Sequence, residues 1–114
     1  MVMAYILEFY EKKDGTSPFN DWLNHQDATI KYKIIAKLDR VELGNLGDVE
    51  FVGDGVSEMR LHFGPGIRIY YSKIGLRIIL LLSAGTKKVQ QKDIDKAKIY
   101  LQDYKKRGNE HGKK

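Results

Sequence analysis

The stretch 56-VSEMRLHFGPGIRIYY-71 decides how the chain must fold. It reads as two strands joined by a tight turn at Gly64-Pro65-Gly66. Side chains alternate across a strand, so Glu58, Arg60 and His62 share one face and Met59, Leu61 and Phe63 take the other. On the partner strand Arg68 and Tyr70 fall together, opposite Ile67, Ile69 and Tyr71. The apolar set belongs against helices. The polar set is then expected on the open side of the sheet, with Arg60 and Arg68 on one concave surface.

Outward from the hairpin, 76-LRIILLLSA-84 is apolar on both faces after Arg77, as a central strand covered on both sides would be. Upstream, 49-VEFV-52 is a short strand that turns at Gly53-Asp54-Gly55. These strands are joined by turns too short for crossovers, so they must be antiparallel neighbours. At the start, 4-AYILEFY-10 reads as a strand. Ser17-Pro18 opens a helix in which Phe19, Trp22 and Leu23 share a face that packs on the core. Asp27 caps a second helix with a stripe of Ile30, Ile34, Leu38 and Val41, widened by Ile35, and Gly44 ends it. Lys31, Lys33, Lys37, Asp39 and Arg40 are left for its wet side. After Gly85, 86-TKKVQQK-92 reads as a polar loop, and Ile94, Ala97, Leu101 and Tyr104 mark a closing amphipathic helix. The order is β-α-α-β-β-β-β-α. The expected class is α+β: a small, mainly antiparallel sheet flanked by an N-terminal helical hairpin and a C-terminal helix, with the helices on one face.

At 114 residues this is one domain, 1–114, with 105–114 expected to form a flexible basic tail. There is no cysteine, which excludes disulfides and thiolate metal sites. The three histidines, His25, His62 and His111, are far apart and lack metal-ligand spacing. No run approaches the ~18 apolar residues of a membrane span. The opening MVMAYILEFYEKK is apolar before it is charged, the reverse of a signal peptide, so a cytoplasmic protein is expected.

The formal charge of +5 points to a polyanion, nucleic acid first, with a solvated basic surface as the plain alternative. The hairpin sharpens this. A guanidinium is a planar fork of donors that matches phosphate oxygens, and aromatic rings stack on unpaired bases. Arg60, Arg68, Tyr70, Lys87 and Lys88 are therefore the candidate RNA-binding set, with His62 as a titratable ring beside them. Each has a structural alternative. Arg60 could pair with Glu58 or Glu50, Arg68 with a carboxylate, His62 and Tyr70 could be packing residues, and the two lysines could be solvated charges.

The chain resembles the RelE/ParE toxin superfamily, in its HigB-like branch of phage-derived addiction-module killer proteins. The resemblance lies in 18-PFNDWL-23, 44-GNLGDVEFVGDGVSEMR-60, 64-GPGIRIYY-71 and 79-ILLLSAGTKKVQQKDIDKAK-98. It implies a compact sheet flanked by helices and a toxin silenced by a cognate helix-turn-helix (HigA-like) antitoxin. It also implies cleavage of mRNA on the ribosome without metal or cofactor. Matched motif to motif, Arg60, Arg68 and Lys87 take the roles of phosphate binding and transition-state stabilisation. His62 is the nearest proton-transfer group, and Lys87 or Lys88 are outside candidates. A ParE-like gyrase poison and an inactive antitoxin-binding member are the alternatives within the same resemblance.

Overall fold

The structure is a computed structural model that describes residues 4–112, with side-chain surroundings through Gly108. Its elements are β1 (Ile6–Phe9), α1 (Pro18–Asn24), α2 (Ala28–Glu42), β2 (Val49–Gly53), β3 (Val56–Leu61), β4 (Ile67–Ile74), β5 (Ile78–Thr86) and α3 (Gln90–Gly112), in the order expected. The sheet runs β1-β5-β4-β3-β2. β2 to β5 are antiparallel neighbours, and β1 alone pairs in parallel, with Ile6 opposite Ile78. The parallel edge follows from the helical hairpin, which carries the chain away from β1 before the meander begins.

Local chemistry sets the helix ends. The Ser17 hydroxyl accepts from the Asn20 amide at 3.2 Å, and Pro18 fills the first helical position. The Asp27 carboxylate accepts from the Ile30 amide at 2.9 Å, and Gly44 leaves α2 with φ of +99°. Ile34, Leu38 and Val41 are buried as the stripe requires, whereas Ile35 is largely exposed. Trp22 is only half-buried, against Phe19 at 6.4 Å between ring centroids.

The expected single helical layer is corrected by two core clusters. α1 and α2 pack on one face, where Phe19, Ile34 and Val41 meet Met59, Ile69, Ile79 and Leu81. α3 packs on the other, where Ile94, Ala97 and Leu101 meet Val56, Tyr70, Leu80 and Leu82. The polar face of the hairpin is therefore roofed by α3, not open. The run 79–82 reads as apolar on both sides because both sides are covered. A bulge at Tyr70/Tyr71 sets Tyr70 against Ser83 and Tyr71 against Leu81, so Leu82 is the extra residue of β5. The expected polar loop at 86–92 is also corrected: Lys87–Val89 is a 3-10 turn that runs straight into α3 at Gln90. Of the tail, 105–112 continues α3, and Lys113 and Lys114 lie outside the described residues, as do Met1, Val2 and Met3. Among the described residues no helix is long and apolar enough to cross a membrane.

Leu101, like Ala97, is a fully buried contact of α3 with the sheet. Leu101→Ala is expected to cost about 2–5 kcal/mol, read from urea midpoints at unchanged slope.

A candidate RNA-cleaving end of the sheet

The strand ends bring most of the candidate residues to one end of the sheet. Asp48 precedes β2, His62 follows β3, Arg68 opens β4, and Lys87 and Lys88 follow β5. The Lys87 amide donates to the Gly66 carbonyl at 2.8 Å, which ties the lysine pair to the Gly64-Pro65-Gly66 turn. α2 reaches the same turn: Ile30 approaches Gly64, and the Lys33 ammonium lies 5.1 Å from the Phe63 ring centroid.

Arg60 and Arg68 are direct cross-strand partners, a like-charge pair that would be costly if left bare. Glu58 resolves it. Its carboxylate is fully buried and accepts from Arg60 Nε at 2.9 Å and from Gln90 Nε2 at 2.8 Å, and it lies 3.7 Å from Arg68 Nε. The two guanidiniums then differ in what remains free. Arg60 is saturated with carboxylates: beyond Glu58 it donates to Glu50 and lies 4.0 Å from Asp48. The structural alternative raised by the sequence, pairing with Glu58 or Glu50, is thus the observed state of Arg60. Hydrogen bonds to those two carboxylates hold its charge more firmly than usual. Arg68 is 8% exposed, so the expectation that it lies on the surface is corrected. Its donors are poorly used: Nε is buried without a hydrogen-bond partner among the described residues, and Nη1 reaches only the Ile67 carbonyl at 3.4 Å.

Tyr70 is also corrected. It is fully buried beneath α3 and offers no ring face to a base. Burial, then the nearby Glu58 and Asp93 charges, push its hydroxyl well above the ordinary phenol range. Lys87 and Lys88 are exposed, with no carboxylate at ion-pair distance among the described residues. His62 is exposed too, and its Nε2 lies 2.7 Å from Asp48 Oδ2.

Four participants were not singled out by the sequence reading: Asp48, Gln90, Lys37 and Asp93. Lys37, expected on the wet side of α2, is buried and donates to the Leu46 carbonyl at 2.7 Å, pinning the loop that carries Asp48. Burial lowers its pKa, with nearby Arg40 acting in the same direction. Asp93, in the first turn of α3, presses on Gly85, where a Cβ would collide with its carboxylate. Burial raises its pKa, and Lys96 and Lys92 partly offset that. The signal for Asp48 was present in the strand register, since its carbonyl accepts the Arg60 amide at 2.8 Å. No group of three or more His, Asp or Glu side chains suited to a metal ion occurs among the described residues.

A family profile described as phage-derived protein Gp49-like matches residues 21–105, a span that contains every residue of this site. A protein of Haemophilus influenzae, described only as uncharacterized, is 37% identical over 89 residues, covering 77% of this chain and 90% of that protein.

The buried Glu58 and the half-buried Asp93 give two expectations. Glu58→Gln leaves opposed guanidiniums without their shared counter-charge and is expected to destabilise by about 3 kcal/mol or more in denaturant titrations. Asp93 has a folded pKa above its unfolded one, so the folded state binds more protons between the two values. Its contribution is most favourable below the unfolded value and is lost as pH rises through the folded value. Asp93→Asn is expected to be more stable than wild type at neutral pH, and the gain is expected to vanish near the ordinary carboxyl value of 3.8. Urea midpoints at the two pH values check it.

Proposed function

The chain belongs to the Gp49-like family of phage-derived proteins, a RelE/ParE-like toxin family, and on that premise we propose that it is the HigB-like toxin of a type II toxin–antitoxin pair that cuts mRNA on the ribosome. The observation that carries the reading is the company His62 keeps. A carboxylate-bound imidazole stands at the same end of the sheet as the partly unused guanidinium of Arg68 and the exposed ammonium groups of Lys87 and Lys88. That is the equipment for transphosphorylation within RNA. The 2′ oxygen attacks the adjacent phosphorus and its proton passes to His62. The bond from phosphorus to the 5′ oxygen breaks, that oxygen takes a proton from solvent, and a 2′,3′-cyclic phosphate remains. Cations stabilise the charge that builds on the phosphorane. Lys87 and Lys88 supply them at the rim and Arg68 from beneath it. Arg60 acts through its carboxylates as a scaffold. Lys33, beside Phe63, extends the basic rim toward the RNA.

The partner in this reading is a helix-turn-helix, HigA-like antitoxin whose acidic side chains cover the lysine rim, and the working target is the ribosome with its mRNA. Brief expression in cells, with mRNA 5′ ends mapped beside a reporter of DNA damage, separates this from gyrase poisoning. New mRNA ends without DNA breaks are expected, and DNA breaks with intact mRNA would overturn the reading. Loss of a proton-transfer group typically costs a hundred- to ten-thousandfold, so His62→Gln is expected to lower cleavage by about that factor. Its side chain is exposed, so stability is expected to stay within about 0.5 kcal/mol, checked by melting the same preparation.

A further inference from the structure

His62 sits in an exposed position, yet the carboxylate that holds it is fixed with unusual care. The Asp48 carbonyl accepts the Arg60 amide at 2.8 Å, which locks the backbone of Asp48 to β3. Behind it, Gly47 has φ of +72° and lies so close to the Lys37 ammonium that a Cβ would collide with it. Lys37 in turn is anchored to the Leu46 carbonyl at 2.7 Å, and the Gly47 amide donates to the Asn45 side chain at 3.1 Å. The carboxylate itself is divided. Oδ1 faces Arg60 Nη1 at 4.0 Å and Oδ2 meets His62 Nε2 at 2.7 Å.

From this geometry we propose that Asp48 is the positioning residue of His62: it keeps the neutral ring proton on Nε2 and turns Nδ1 outward as the proton acceptor. A carboxylate has only acceptor sites, so the ring nitrogen that meets it must carry a hydrogen. Nδ1 is then left with its lone pair, on a side chain that is 70% exposed and open to substrate. When Nδ1 takes the proton of the 2′ hydroxyl, the ring becomes a cation whose Nε2–H already points at a negative charge, and no group has to move. Arg60 faces the other oxygen of that carboxylate and helps to aim it. It is held in turn by Glu50 and Glu58, so the buried Glu58 sets the geometry of the histidine through two intervening residues, Arg60 and Asp48. As a statement about catalysis, this assignment rests on the ribonuclease reading above. As a statement about the ring, it stands independently.

Two measurements test it. In free wild-type protein with 15N-labelled histidine, assigned by comparison with His62→Gln, the neutral His62 ring is expected to carry its proton on Nε2. That proton is expected to exchange slowly with water at low temperature, and the slow exchange is expected to disappear in Asp48→Ala. In a translation extract programmed with one mRNA, Asp48→Ala is expected to lower kcat by about tenfold or more while KM stays within about twofold, since only the proton transfer is disturbed. Asp48→Glu, which restores a carboxylate on a longer arm, is expected to recover part of the rate. A wild-type ring protonated on Nδ1, or an Asp48→Ala protein with unchanged ring signals and unchanged kcat, would overturn the assignment. Wild-type protein that cuts no mRNA would sink the ribonuclease reading, and the ring signals alone would then decide the role of Asp48.

Discussion

A single buried carboxylate organises this molecule. Glu58 has no contact with water, yet it carries a charge, and a charge sealed away from solvent survives only where opposite charge and donors meet it. Arg60 supplies one from its own strand, Arg68 stands across the next strand, and Gln90 closes the ring from the start of α3. Three elements are thereby held in mutual register by a polar contact, inside a face otherwise packed with Val56, Tyr70, Leu80 and Leu82. A core made only of aliphatic side chains would tolerate sliding of α3 over the sheet. The hydrogen bond that Gln90 donates to the buried carboxylate does not, because displacement of α3 leaves an acceptor of that carboxylate unmet.

The same contact divides the labour between two arginines that look equivalent in sequence. They are paired across β3 and β4, but one is consumed by Glu58, Glu50 and Asp48, and the other keeps donors in hand. The protein is basic as a whole, yet the surface near Arg60 is locally balanced by acids. At this end of the sheet the exposed lysines after β5 have no carboxylate at ion-pair distance among the described residues, so in the proposed reading a polyanion would be attracted at the rim and positioned from beneath it.

Much of the fold was legible because its signals are local. Ser17-Pro18, Asp27 and Gly44 mark helix ends by their own chemistry, and alternation in the hairpin assigned its two faces correctly. What the sequence could not show was which face would be covered. Alternation separates Met59 from Glu58 and Arg60 but does not reveal that α3 returns over the charged side. Tyr70 and Arg68 were therefore expected in the open and are buried. The polar run after Gly85 hid the first turns of α3 because Gln90 and Asp93 face inward to polar partners and the sheet backbone, not to an apolar stripe. Lys37 was misplaced for a related reason. Its stem runs along the buried side of α2 while its ammonium finds a carbonyl of the next loop. At the site, His62 and the lysines stand out by residue type. Asp48 is one acid among fifteen until the strand register places it against the histidine.

The parallel pairing of β1 has a consequence for the order in which the molecule comes into being. Ile6 must find Ile78, so β1 has no partner in the sheet until β5, the last of the described strands, has left the ribosome. The hairpins of β2 to β5 need only their neighbours and are free to assemble sooner. Completion of the Glu58 ring waits for Gln90, later still in the chain. Synthesis from the N-terminus thus leaves the meander unroofed and its charged face uncapped until α3 emerges. A nascent chain of this design completes its sheet and its charged face only after β5 and the start of α3 have emerged, and a partner that recognised the finished surface would find nothing to bind before then.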